Sequence, residues 1–567
     1  MEDLNIFLIP FLQTLLIVLS PLVHYKYGLV FDSFLRNRLK LSGKFGSADL
    51  YFSGLVIFLL LTFTLKCLQI SWLWTSFLLY LILLVKPKGN AQIVNKLKSI
   101  SPSWNLALWI TAILIIGMSL VDTTSEIRTM WINAYGDLAF HTGMITSFAF
   151  GDNFPPMNHI YPGVNLTYPF LVNLWSASLL WMDPELGSYG IILAMQWVTI
   201  WLTVYFVIDG DKNKIIPWAI LFAGGTYLTL YSHSGENISI GYPWSVFLTT
   251  IWIPQRSALF GVLALTTITV NFHRYIKEKK IGYLVLSSLL LSISPLVHTH
   301  FSLVMGLYMS LILFTYIPKD GIKPIFIFAG SMIPSLLSLP WLLGKESIIY
   351  FRSGWMPWKT YQGELAQLWG SLNMWLHNGA IFLGLLILTA LIFKCYRSIV
   401  ILLIIFIAGN FIHFAVWEWD QIKIFVPLYI ITLLLWTTKS SKLPQYLLLA
   451  TMVPALSETI KVFSEYKEYG IYSVADRNLQ KNIMKFTPKD AVILAAPQHN
   501  SPVTLTGRKL FMGYPGTLYT HGLDYREREK MVKSLPTAIQ CKSNLDIRSK
   551  NSAACPDYLL WGNPELK

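Results

Sequence analysis

Apolar runs of bilayer-crossing length recur along this chain, and short loops rich in lysine and arginine separate them. A hydrocarbon core is spanned by about 20 consecutive apolar residues in a helix, so the pattern belongs to a membrane protein. Charge content agrees. With 13% charged and 54% hydrophobic residues, the chain carries about half the charge of an ordinary soluble domain. The expected fold class is mainly α, a polytopic helical membrane protein.

The loop charges orient the spans, because cytoplasmic loops collect lysine and arginine. Ile6 to Leu22 reads as a retained span, since Glu2 and Asp3 replace the basic start of a signal peptide. Arg36, Arg38, Lys40 and Lys44 then mark a cytoplasmic loop. Spans at about 51–67 and 70–86 return the chain to Lys86, Lys88, Lys96 and Lys98, and one at about 105–122 carries it out. Later spans are expected at about 188–208, 214–231, 257–272, 282–297, 299–316, 323–342, 377–394, 398–414, 424–437 and 443–458. Basic turns punctuate them at Arg274 to Lys280, Lys319/Lys323, Lys394/Arg397 and Lys439/Lys442. The total is about 14 spans, with both termini outside.

Tyr168 to Trp181 is apolar but only about 14 residues long, too short to cross. It is expected to lie along the interface on Trp175 and Trp181, which keeps Lys212 and Lys214 cytoplasmic. The first large outer loop then covers 123–187. Past Tyr466 the apolar runs stop and a small α/β pattern begins, with helices at 475–486 and 524–534 and strands at 491–496 and 558–561. The chain divides into N-terminal accessory spans (1–104), a transmembrane core (105–460) and an extracytoplasmic α/β tail domain (461–567).

The formal charge of +14 sits in short loops between apolar runs rather than along one soluble face, so no nucleic-acid partner is expected. Four cysteines make no disulfide framework; Cys541 and Cys555 share the tail and could pair only if it is extracytoplasmic. No Gly-rich phosphate loop, HExxH or GxSxG is present.

The outer loops carry the unusual residues. GDLAFHTGMITSFAFGDNFPP, Gly136 to Pro156, holds Asp137, His141 and Asp152 just past a membrane exit, where acids are costly unless they serve a hydrated or functional cavity. Arg256 opens a span. His298 and His300 form an HTH turn, for which a hydrogen-bonded turn competes with a metal site lacking a third ligand. Arg352 lies beside a Trp-rich loop, and WEWDQIK places Asp420 and Lys423 at another span start. All face one side under this topology. Acids and cations converging there suit an anionic lipid head group, with aromatic rings at the boundary between tail and head. Arg256 and Lys423 could instead snorkel, and Asp420 could pair locally with Lys423. Asn165-Leu-Thr and Asn237-Ile-Ser fit the glycosylation sequon, a pattern common by chance.

These pieces resemble a family. GDLAFH…SFAFGDNFPP…YPGVNLTYPF, then WEWDQIK, then HNSPVTLTGRKLFMGYPGTLYTHGLDYREREKMV, are similar to the polytopic GT-C glycosyltransferases over about residues 105–535. The resemblance implies a polyprenyl-phosphate-linked sugar donor, a glycan, lipid or protein acceptor, and membrane lipid around the site; it does not name the sugar, for which a hexosyl or mannosyl-like unit is the expectation. It implies inversion at the anomeric carbon, with Asp137 at the position of the family's first-loop general base. His141, Asp152, His298, His300 and Asp420 would then support substrate, and Arg256, Lys423 and Arg352 would hold lipid phosphate. Some members need a divalent cation such as Mg or Mn, for which Asp137 and Asp152 are the candidates. The rival reading is a transporter or flippase for a lipid-linked or anionic solute. That reading asks for ionisable residues in mid-span and inverted repeats, whereas here those residues cluster at span ends.

Overall fold

The structure, a computed structural model, describes residues 2–85, 126–132, 134–209, 215–222, 224–225, 228–231, 237–240, 246–343, 349–355, 363–437, 445–465, 467–533 and 558–559. Six helices among them are long and apolar enough to cross a membrane: Leu8–Asn37, Ser47–Cys67, Tyr189–Val207, Thr299–Asp320, Lys323–Trp341 and Glu418–Thr437. Leu365–Asn378 and Phe382–Phe393, bent by 76°, make up to 7 if counted as one broken span. The chain is an integral membrane protein. The expected count of about 14 is not reached among the described residues. Three expected spans are short apolar helices, Trp72–Leu84, Ile281–Leu296 and Tyr396–Phe411. The span expected at 214–231 breaks into Ile216–Leu221 and a strand, Leu228–Tyr231, that pairs antiparallel with Asn237–Ile240. The span expected at 105–122 lies outside the described residues, as do Lys212, Lys214, Cys541 and Cys555.

Leu171–Leu180 is a short apolar helix, as expected, but every residue of it is buried, so Trp175 is no anchor in the membrane interface. Trp175 is fully enclosed, its ring 5.8 Å from His24 and 5.8 Å from Phe260. An apolar run too short to cross either floats at the interface or becomes core, and surrounding helices here make it core.

The N-terminal helices form part of that surround. Glu2–Asn37 and Ser47–Cys67 pack so closely that a Cβ on Gly28 would sit 1.8 Å from the Leu50 carbonyl oxygen. Small residues admit this approach, as in other membrane helix pairs. Trp72 Nε1 donates to the Phe148 carbonyl at 3.0 Å, and Gln69 Nε2 to the Phe154 carbonyl at 3.1 Å. At the other end of Ser47–Cys67, Asp49 accepts from Asn271 at 2.8 Å and Arg274 at 2.7 Å.

That second end gathers the basic turns. Gly282 N donates to the Ser42 carbonyl at 3.0 Å, Lys279 pairs with Asp320 at 2.6 Å, and Arg397 lies 5.0 Å over Tyr316. The tail packs at the opposite end. Ile127–Thr129 pairs antiparallel with Tyr469–Tyr472. Ser473 and Asp476 form a capping box that starts the helix Val474–Phe486. Val492–Leu494 lies between parallel partners Lys509–Leu510 and Tyr558–Leu559. Backbone bonds Leu510 N to His159 O (2.9 Å) and Gly513 N to Ile160 O (2.8 Å) join this tail to the first outer loop.

Candidate active site

Asp137 sits in the first turn of Ala134–Ala149, where the helix dipole favours an acid. It is half-buried, facing Lys423 and Asp420, which pair with each other at 3.0 Å. Burial pushes its carboxyl up to about 7, Lys423 pulls it down and Asp420 adds to the rise. Lys423 and Asp420 are held in register by Gln421. Its amide donates to the carbonyls of Gly409 and Ile412, both at 2.8 Å, and accepts from Phe414 N at 3.0 Å.

A cluster of rings includes Tyr168, which lies within electrostatic reach of this acid. Phe140 lies 5.1 Å from Tyr168 and 5.0 Å from His521, and Tyr168 lies 5.4 Å from His521. His159 lies 5.4 Å from Phe140. Burial lowers His521 to about 4, with Lys423 adding to the effect, and lowers His159 to about 3. Burial also raises the Tyr168 hydroxyl to about 12. These groups are therefore neutral at pH 7, leaving Lys423 as the cation that faces Asp137. Tyr168 and His521 fall inside the quoted YPGVNLTYPF and tail stretches, but neither they nor His159 stand out as site residues in sequence.

The other expected residues divide. His141, one turn beyond Asp137 and on the same face, is fully buried; its Nδ1 meets the Asn173 amide at 3.0 Å. Burial lowers it to about 3, and Arg256 adds to that. Arg256 lies within electrostatic reach of His141. It is 8% exposed and donates from Nη2 to Ser176 at 2.7 Å and Gln196 at 2.6 Å. Among the described residues no carboxylate pairs with it. Arg352 is bound to Glu418 within the same WEWDQIK segment. His298 caps Thr299–Asp320 by accepting from Phe301 N at 3.3 Å, and His300 contacts the Phe414 carbonyl at 3.3 Å. Both lie within electrostatic reach of Lys423. The HTH pair is a hydrogen-bonded turn that braces the Lys423 loop.

Asp152 goes elsewhere. It pairs with Lys66 at 3.0 Å and Lys489 at 3.3 Å, joining the Ser47–Cys67 helix, the outer loop and the tail. Twelve residues of helix separate Asp137 from Ala149 by roughly 18 Å, and Asp152 follows that end of the helix. Among the described residues no three His, Cys, Asp or Glu side chains gather as metal ligands.

No protein-family model matches the chain, and no curated protein matches it. Two solved structures are similar in fold. One is the archaeal oligosaccharyltransferase AglB from Archaeoglobus fulgidus in complex with an inhibitory peptide and a dolichol-phosphate, with TM-score 0.39 and 10% identity, covering 73% of this chain and 64% of that one. The other is an Archaeoglobus fulgidus oligosaccharyltransferase in the apo form, with TM-score 0.37 and 11% identity, covering 74% and 65%. The chain thus spans less than two thirds of their length. A likeness this slight carries no assignment of activity by itself.

Proposed function

We propose that this chain is a membrane glycosyltransferase that moves a sugar from a polyprenyl-phosphate-linked donor to an acceptor on the extracytoplasmic face. The observation that carries the reading is Asp137, with a pKa of about 7, within electrostatic reach of the Lys423–Asp420 ion pair at the end of the molecule opposite the basic turns. A base poised near the working pH both exists as carboxylate and accepts a proton readily. The sequence resemblance to GT-C enzymes points the same way.

The step balances as follows. An acceptor hydroxyl oxygen attacks the anomeric carbon, and its proton passes to the Asp137 carboxylate. The bond from that carbon to the phosphate oxygen breaks, and the lipid phosphate leaves with the electron pair. Lys423 stabilises the departing charge, so no general acid is needed. Asp420 holds the Lys423 ammonium, and the rings of Phe140, Tyr168 and His521 exclude water. Arg256 is taken up by Ser176 and Gln196 and is not given the phosphate. Direct displacement on the face opposite the phosphate inverts configuration.

The test is transfer from radiolabelled polyprenyl-phosphate sugars by the full chain in reconstituted membranes. Asp137→Asn should lose about 100-fold or more of the rate, the scale of general-base catalysis. Full transfer by that variant removes Asp137 as the base. Transport of a lipid-linked solute without sugar transfer would replace the reading with a transporter.

A further inference from the structure

The rim above Asp137 carries a second row of aromatic side chains that the proposed chemistry does not use. Trp417 and Trp419 stack nearly parallel, 4.9 Å apart at 9°, and are 38% and 37% exposed. Tyr519 of the tail meets Trp417 edge-on at 6.1 Å and is 53% exposed. Five residues earlier, Tyr514 packs on His499 at 3.8 Å, and the His499 ring lies against Gly136, where an added Cβ would sit 3.3 Å from it. Gly136 precedes Asp137. A chain of contacts therefore runs from the tryptophans, across the tail helix Pro515–Thr520, to the catalytic acid.

Charge is interleaved with the rings. Glu418 and Arg352 are 36% and 30% exposed, and Asp420 and Lys423 are 28% and 16% exposed. A membrane-belt tryptophan faces lipid, whereas Trp417 faces Tyr519 of the polar tail and Trp419 stacks on Trp417. A sugar ring offers what such a rim takes: an apolar face of C–H groups for the aromatic ring, and hydroxyls around its edge for carboxylate and guanidinium. A peptide asks instead for main-chain partners along a strand edge or a helix groove.

We propose that Trp417, Trp419 and Tyr519, with Glu418 and Arg352, form the subsite for a saccharide acceptor, an inference that rests on the glycosyl-transfer reading. The tryptophans carry the ring face, Tyr519 closes it from the tail, and the ion pair orients the hydroxyls. The site is shared between membrane core and tail, so acceptor binding depends on their docking.

The experiment uses the full chain in lipid nanodiscs, without donor, on an array of neutral hexose, N-acetylhexosamine and uronic-acid oligosaccharides, with a peptide array in parallel. Wild type should bind at least one saccharide class and no peptide. Trp419→Ala and Tyr519→Ala should each weaken that binding by about tenfold or more, as loss of an aromatic anchor does. Trp419→Phe should retain most of it, and Trp74→Ala, at a remote exposed tryptophan, should change nothing. Thermal unfolding checks each variant, and the Phe and Tyr519 variants carry the test if Trp419→Ala does not fold. Failure to bind any saccharide, unchanged binding in the rim variants, or peptide binding in place of saccharide overturns the proposal. The two readings fail separately. Saccharide binding that depends on the rim, with no transfer from any donor, sinks the transferase reading alone. Transfer whose acceptor KM ignores the rim variants sinks the subsite alone.

Discussion

Asp137 owes its chemistry to its surroundings. An aspartate in water stays ionised far below neutrality, but burial here raises the carboxyl from 3.8 to about 7 while Lys423 limits the rise. Two consequences follow with opposite signs. As a general base Asp137 acts only when ionised, so kcat/KM for transfer should fall about tenfold per pH unit below that value and level off above it. For stability the folded state binds the extra proton. The contribution of the neutral acid is complete below 3.8 and is lost as pH rises through about 7. Asp137→Asn, locked neutral, should therefore unfold at a higher temperature than wild type at pH 8 and at a similar one at pH 4. A flat rate profile across neutrality, or parallel unfolding curves for the two proteins, removes the perturbed acid from the mechanism. Asp137 and Lys423 were legible in sequence because a charge at a span end is expensive and conspicuous. His521 was not, because a histidine in a polar tail is ordinary until the fold sets it 5.0 Å from Phe140.

At the scale of elements, the charges that hold helices together sit away from the chemistry. Asp49, 1% exposed at the start of Ser47–Cys67, receives Asn271 and Arg274 from Arg256–Glu278. Removing one partner of a buried pair leaves the other unpaired and costs about 3 kcal/mol or more. Asp49→Ala should lower the unfolding temperature in detergent clearly, while acceptor-independent donor binding in the folded fraction stays unchanged. An unaltered transition would mean that the pair contributes little to holding the two helices. The long apolar helices were legible for the reason Asp49 is not: hydrophobic length is written locally, and a partner 222 residues away is not. Leu171–Leu180 shows the limit. Its composition suited an interface helix and a core helix equally, and only the enclosing helices chose between them. The same holds for 214–231, where an apolar run was read as one span and the chain instead breaks into a short helix and a hairpin.

The whole molecule is polar in the electrical sense. Turns carrying Ser42, Lys279, Asp320 and Arg397 meet at one end, and Asp137, the WEWDQIK segment and the tail meet at the other. Because basic loops are retained on the cytoplasmic side, the proposed function puts the first end inside and the second end, with its proposed reaction, outside. This proposed orientation depends on which loops share an end and not on the number of long helices between them. Substituted cysteines separate the two faces directly. In a background with Cys67, Cys395, Cys541 and Cys555 replaced by serine, Thr520→Cys should react with a membrane-impermeant maleimide added to intact cells. Lys40→Cys should react only after the membrane is opened. The reverse pattern would put the Asp137 end in the cytoplasm, beside soluble nucleotide-sugar donors, and the case for a polyprenyl-phosphate donor would fall with it.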